Sequence, residues 1–157
     1  MKLTIFSDGG ARGNPGPAGI GVIIKLLPVT SNQLPVTISK FIGEATNNQA
    51  EYRAVIEALI WIKLKYQSNR FNPTYEVGLG GSEELEIECF LDSQLIVEQL
   101  NQRYKIKNEG LKPLFWEVRG LVMALGGKVT FKYIPREKNK EADRLVNEAI
   151  DKETKNV

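Results

Sequence analysis

The chain is 157 residues long, 42% hydrophobic and 25% charged, with a formal net charge of +2. Residues 1–157 fit a single domain with an ample core, and the charge is too small to indicate a nucleic-acid partner by itself. The absence of histidine and the presence of one cysteine, Cys89, exclude histidine-based triads, the usual zinc sites and an internal disulfide, leaving carboxylates as the leading candidates for chemistry.

Leu3–Phe6 reads as a short buried strand running into Ser7-Asp8-Gly9-Gly10. Ala18–Leu27 alternates, with Ile20, Val22, Ile24 and Leu26 on one face and Gly21, Ile23 and Lys25 on the other. A polar turn over Pro28–Pro35 leads to a third strand, Val36–Gly43, which completes an antiparallel meander. Asn48–Tyr66 reads as a helix, with Val55, Ala58, Leu59 and Ile62 at helical spacing. Asn69–Ser82 is rich in Gly, Asn and Pro and reads as a loop. Glu86–Leu91 is a fourth strand, followed by a helix from Ser93 to about Arg103, a link over Tyr104–Gly110 and a helix over Leu111–Leu125. Gly126-Gly127 stops that helix. Val129, Phe131 and Tyr133 alternate as a fifth strand, Pro135–Lys140 is a charged loop, and Lys140–Lys152 is a final helix packing through Leu145, Val146, Ala149 and Ile150. Three strands followed by helix and strand units predict one mixed sheet with helices against it. Cys89, Trp61 and Trp116 lie in apolar patterns and read as packing residues. No apolar run is long enough for a membrane span and the first residues lack the apolar core of a signal peptide, so the expectation is a cytoplasmic monomer with no membrane partner.

Four acids stand at element ends, each with a bland explanation. Asp8-Gly9 alone is hairpin turn chemistry. Against that, the next strand does not begin two residues later, and the glycine-rich stretch that follows could leave backbone N–H groups free to meet phosphates. Glu51 falls at N3 of a helix capped by Asn48, where it could close a capping box, yet it lies four residues before Val55 on the inward face. Asp92 has the position of a helix N-cap, but like Asp8 it immediately follows a strand. Parallel neighbours would deliver both to one carboxyl edge. Asp143 sits in the first turn of the last helix, where acids favour the dipole, at the edge of the apolar face, while Glu141 points outward. Acids brought to one point repel one another, which favours a cation among them. Oxygen-only ligands suit Mg²⁺ or Mn²⁺ rather than zinc. The Gly9–Gly16 run also looks like a nucleotide cradle, but a strand follows it instead of a helix and no Gly-Lys-Ser/Thr completes a P-loop.

Four blocks resemble the signatures of type 1 ribonuclease H, in that family's order and over nearly the whole chain. They are Phe6-Ser7-Asp8-Gly9-Gly10 with Gly13-Asn14-Pro15-Gly16, then Thr46-Asn47-Asn48-Gln49-Ala50-Glu51, Leu91-Asp92-Ser93-Gln94 and Asn139-Lys140-Glu141-Ala142-Asp143 with its sequel to Asn147. The resemblance implies an α/β ribonuclease H-like fold, a five-stranded mixed sheet with strands 1–3 antiparallel and about four flanking helices. It implies endonucleolytic cleavage of the RNA strand of RNA/DNA hybrids by two Mg²⁺ ions, with Mn²⁺ as a substitute, giving 5′-phosphate and 3′-hydroxyl ends. Asp8, Glu51, Asp92 and Asp143 match the family's metal-binding catalytic carboxylates. Asn14, Asn48 and Gln94 match residues that contact the hybrid, and Gly9 and Asn47 belong to the same surface.

The chain departs from the best-known members twice. Many carry a catalytic histidine in the loop before the last carboxylate. Here that loop resembles the histidine-free archaeal and bacterial versions, and Arg136 is the residue best suited to assist, because it stays charged and pairs with phosphate. Some members insert a basic, tryptophan-bearing handle helix where this chain has a short link with Arg103, Lys105, Lys107 and Lys112, which predicts a weaker, salt-dependent grip. Cleavage of double-stranded RNA in addition, or a non-catalytic hybrid-binding module, stand as alternatives.

Overall fold

The structure is a computed structural model that describes residues 1–27, 34–70 and 85–155, with only the backbone of 67–70. The expected turn between the second and third strands, the expected loop beyond Arg70 and the last two residues of the tail fall outside the described residues. The elements are β1 (Lys2–Ala11), β2 (Gly16–Leu27), β3 (Val36–Ala45), α1 (Asn47–Arg70), β4 (Glu86–Leu91), α2 (Gln94–Leu100), α3 (Lys112–Ala124), β5 (Val129–Tyr133) and α4 (Lys140–Thr154), with a short 3₁₀ turn over Arg136–Lys138.

The strands form one sheet in the order β3-β2-β1-β4-β5. β3, β2 and β1 are antiparallel, as the meander predicted, and β1, β4 and β5 run parallel. One face carries the main core. Leu3, Ile5, Ile20, Val22, Ile87, Cys89 and Leu91 meet Tyr52, Val55, Leu59 and Ile62 of α1, Ile96 and Leu100 of α2, and Val118 and Val122 of α3. The opposite face is covered by α4, with Ala142 and Leu145 on Ile23 and Phe6 beside them. The alternation read from β2 holds: its Ile20, Val22 and Ile24 face is the α1 side. Cys89 is fully buried, and burial pushes its thiol up to about 12, so it is packing, as expected.

Several boundaries differ from the sequence expectation. β1 does not stop at Phe6. It pairs with β2 from Lys2↔Leu27 to Ala11↔Ala18, while its parallel pairing with β4 ends at Ser7↔Leu91. Asp8 therefore lies inside a strand, at the point where that strand loses one neighbour and keeps the other. Gly9, which suggests a loop, is instead a place where a helix approaches the sheet, and Gly21 within β2 is another. A Cβ on Gly9 would run into the Ala50 carbonyl of α1, and one on Gly21, the β2 partner of Asp8, would run into the Ala142 carbonyl of α4. α1 runs on to Arg70, four residues past Tyr66. α2 ends at Leu100 because Gln102 takes a left-handed conformation (φ 62°), and the amides of Gln102 and Arg103 close the end on the carbonyls of Gln99 and Glu98. α3 ends as predicted, with Gly126 and Gly127 at positive φ. Trp61 packs against the core, but Trp116 is 69% exposed and only leans edge-on against Phe115, so it is not a core residue.

Candidate active site

Glu51 reaches the sheet edge because the start of α1 is closed by other residues. The Gln49 amide donates to Thr46 Oγ1 (3.1 Å) and the Thr46 amide to Gln49 Oε1 (3.0 Å), a reciprocal capping box upstream of the expected Asn48–Glu51 pair. Asn48 and Glu51 are thus not a cap pair. Glu51 is buried, and its Oε2 has no hydrogen-bond partner among the described residues. Asp92 is likewise not the cap of its helix. Ser93 is, accepting from the Ile96 amide at 3.4 Å. The Asp92 Oδ2 instead accepts from Asn139 Nδ2 at 2.9 Å, and the same amide group donates to the Ser7 carbonyl at 3.0 Å. Both partners are acceptors, so the orientation of the Asn139 amide is settled.

Asn139 opens the fourth of the family-like blocks but is not among the expected site residues. It is 2% exposed and ties together the ends of β1 and β4 and the start of α4, whose Asp143 amide donates to its carbonyl at 3.1 Å. In the sequence it looks like an ordinary residue before a helix. Its position at the head of the fourth block, four residues ahead of Asp143, was the available signal.

The carboxylate oxygens of Asp8, Glu51 and Asp92 lie within 4.8 Å of one another. Asp143 is exposed and stands outside that trio, but it lines the same cavity of about 550 Å³, as do Gly9, Asn47, Asn48 and Arg136. Burial, then the charges of Asp92 and Asp143, push Asp8 up from its ordinary 3.8 to about 7. Burial, then Asp8 and Asp92, hold Glu51 well above its usual range, while Arg136 pulls it down. The unaided protein therefore resists full ionisation of this group. An all-oxygen donor set, a buried carboxylate oxygen with no partner among the described residues and mutually destabilised charges fit a hard divalent cation.

The remaining expected residues divide. Asn14 Oδ1 accepts from the Asn47 amide (2.9 Å) and Asn47 Oδ1 accepts from the Ala11 amide (2.9 Å), latching the β1–β2 loop to the start of α1. Gln94 is exposed at the start of α2 and does not line the cavity. Amides expected to be open to phosphates are partly used internally: Gly9 donates to Asp8 Oδ1 (3.0 Å) and Arg12 to the Pro17 carbonyl (2.9 Å). The second bond continues the antiparallel pairing of β1 with β2, and the first is a local contact with the preceding side chain. A second cavity of about 590 Å³ adjoins the first at Asn48 and includes Arg103, Tyr104, Lys105 and Lys107 in its lining. Two cations of the link region are paired, Arg103 with Glu98 (3.2 Å) and Lys112 with Glu109 (2.6 Å).

A β3-β2-β1-β4-β5 sheet with acids converging where β1 and β4 part places the chain in the ribonuclease H-like class. Residues 80–149 match a family model described as reverse transcriptase-like. A ribonuclease H of Erythrobacter litoralis is 30% identical, with 96% of both chains covered. An RNase H1 isolated from compost by a metagenomic approach superposes with a TM-score of 0.79 at 42% identity, covering 98% of each chain. The same compost enzyme is known in complex with an RNA/DNA hybrid, with a TM-score of 0.76. A bifunctional protein of Mycobacterium tuberculosis is 35% identical over 96% of this chain, which spans only 36% of that protein's length. The chain belongs to the type 1 ribonuclease H family.

Proposed function

We propose that the protein is an endonuclease that hydrolyses the RNA strand of RNA/DNA hybrids and leaves 5′-phosphate and 3′-hydroxyl ends. The observation that carries this is the convergence of Asp8, Glu51 and Asp92 within 4.8 Å, with Glu51 Oε2 lacking a hydrogen-bond partner among the described residues. The compost relative bound to an RNA/DNA hybrid supports the substrate.

Asp8, Glu51 and Asp92 would hold one Mg²⁺ or Mn²⁺, and Asp8 with Asp92 or Asp143 a second. When bound, the two ions make a water nucleophilic at neutral pH and stabilise charge on the departing 3′ oxygen. The protein's own part is to fix the geometry. Asn139 holds Asp92 by one oxygen and leaves the other to the cluster. Arg136 stands at the cavity wall, where its guanidinium can pair with a phosphate oxygen as charge builds there.

Asn14 and Asn47 spend their carbonyl oxygens on the latch and are exposed, so their amide NH₂ groups would serve as donors to 2′-hydroxyls, together with Asn48. Gln94 would meet the duplex beyond the cavity rim, and the cations of the second cavity would meet the DNA strand. These contacts read sugar and phosphate, so little sequence preference is expected. The reading extends to residues 1–157 acting as a cytoplasmic, monomeric ribonuclease H-like domain.

The test is cleavage of matched labelled RNA/DNA, RNA/RNA and DNA/DNA duplexes by purified protein, with Mg²⁺, Mn²⁺ or excess chelator. Hybrid cleavage that requires the cation is expected. Full activity in chelator would sink the cation-dependent mechanism. Binding without turnover under every condition would make the protein a hybrid-binding module, and equal cleavage of RNA/RNA would widen its substrate.

A further inference from the structure

The cavity extends well beyond the carboxylates. Past Asp8 its lining continues along the backbone of Gly9, Gly10 and Ala11, faced by Val146, Asn147 and Ile150 from one side of α4. At the far end stands Arg12, also in the lining, with Nη2 2.5 Å from Asp151 Oδ1 near the end of α4. Its backbone is held as well, since the Arg12 amide donates to the Pro17 carbonyl at 2.9 Å. Neither the carboxylate chemistry nor the core accounts for this pair.

Charge distribution says what belongs there. Among the described residues the lining contains four acids, Asp8, Glu51, Asp92 and Asp143, gathered at one end, and two cations, Arg136 and Arg12. A polyanionic strand is repelled by the acids until cations arrive, so an anchor is most effective away from them. Strand spacing of about 3.3 Å per residue puts the Arg12 Cα roughly 13 Å from that of Asp8. A phosphate there is a flanking one, not the one cleaved.

We propose that Arg12 binds a backbone phosphate of the RNA strand that flanks the scissile one, and that Asp151 holds the guanidinium in place until it arrives. This rests on the hybrid-cleaving reading above. The Arg12 and Asp151 side chains are 43% and 38% exposed, so their pairing is the weak, solvent-screened kind. A phosphate, which accepts two parallel hydrogen bonds from guanidinium, can take the carboxylate's place. Asp151 thereby makes Arg12 a positioned cation and also competes for it.

The experiment is binding of a short labelled RNA/DNA hybrid by fluorescence anisotropy in chelator, from about 50 to 200 mM salt, together with steady-state cleavage in Mg²⁺. Arg12→Ala is expected to weaken binding about 3- to 10-fold, lower the slope of log affinity against log salt by about one, and raise KM while kcat holds. Arg12→Lys should recover part of the affinity, and Asp151→Asn, which frees the guanidinium, should tighten binding. An unchanged salt slope in Arg12→Ala, or a loss confined to kcat, overturns the proposal while cleavage by the parent protein leaves the function standing. A parent protein that neither binds nor cuts the hybrid takes both down.

Discussion

Glu51 and Asp143 approach Asp8 from opposite faces of one sheet, and the two faces are built differently. Glu51 comes from α1, whose apolar side is part of the main core, and it is buried. Asp143 comes from the first turn of α4, which covers the opposite face, and it is exposed. Each approach depends on a missing side chain, Gly9 on the α1 side and Gly21 on the α4 side. The buried side is set by packing and keeps its acids in an uncomfortable state. The exposed side leaves its acid solvated and free to adjust. Acids that look alike in the sequence thus differ in cost, and the costly ones are those a cation would relieve.

The largest effect should come from removing charge at the shared corner. Asp8→Asn or Asp92→Asn should cut turnover on the order of 10³-fold or more while circular dichroism shows the fold intact. Asp143→Asn should cost less, because that carboxylate is exposed and outside the trio. Equal losses at Asp8 and Asp143 would break the contrast between the faces.

The next effect is on stability against pH. Asp8 is raised from 3.8 to about 7 and Glu51 also lies well above its ordinary value. Between the unfolded and folded values the native state holds more protons than the unfolded chain, so stability falls as pH rises through that window and then levels off. Denaturant melts of cation-free protein should lose roughly a few kcal/mol between about pH 4 and 7. Added Mg²⁺ should restore much of this at neutral pH, and Asp8→Asn should flatten the slope. A flat profile in the parent protein would show that the acids are not strained.

A smaller effect should come from filling the glycine gaps. Gly9→Ala should destabilise by about 1–3 kcal/mol, since backbone has to give way, and should reduce activity through displaced Glu51. Gly21→Ala should cost a similar amount but act through α4 and Asp143, so its loss of activity per unit of lost stability should be the lesser. Thermal melts paired with turnover separate the two.

The smallest effect lies away from both faces. Gln102 is left-handed at the end of α2, so Gln102→Gly should raise stability by about 0.5–1 kcal/mol with cleavage unchanged.

All five strands and four helices were legible from apolar periodicity, and the errors sit at ends and at glycines. Gly9 and Gly10 look like loop because glycine weakens a strand. Their strand conformation is decided by pairing to β2 and by two helices that need the space. Two overlapping frames, Thr46 with Gln49 and Asn48 with Glu51, both suit a capping box, and only the actual start of α1 chose between them. Trp116 stands in an apolar run but off the stripe of Leu114, Phe115, Val118, Leu121 and Val122 that faces the core, so being apolar in an apolar helix did not bury it. The role of Asn139 was not legible, although its block was, because it lies in reaching two acceptors, Ser7 on β1 and Asp92 just past β4.

By itself the sequence determined the alternation of strands and helices, the placement of acids near element boundaries and the order of the family's blocks. These are properties of spacing along the chain, and spacing survives without a structure. Only the tertiary structure decided that Asp8, Glu51 and Asp92 form the close group while Asp143 stands apart. It also made Asn139 the residue that holds them and left Arg12 facing Asp151 at the far end of the cavity. Those facts depend on how closely α1 and α4 can approach the sheet. Backbone clearances of that kind arise between segments distant in sequence and are written in no single stretch of it.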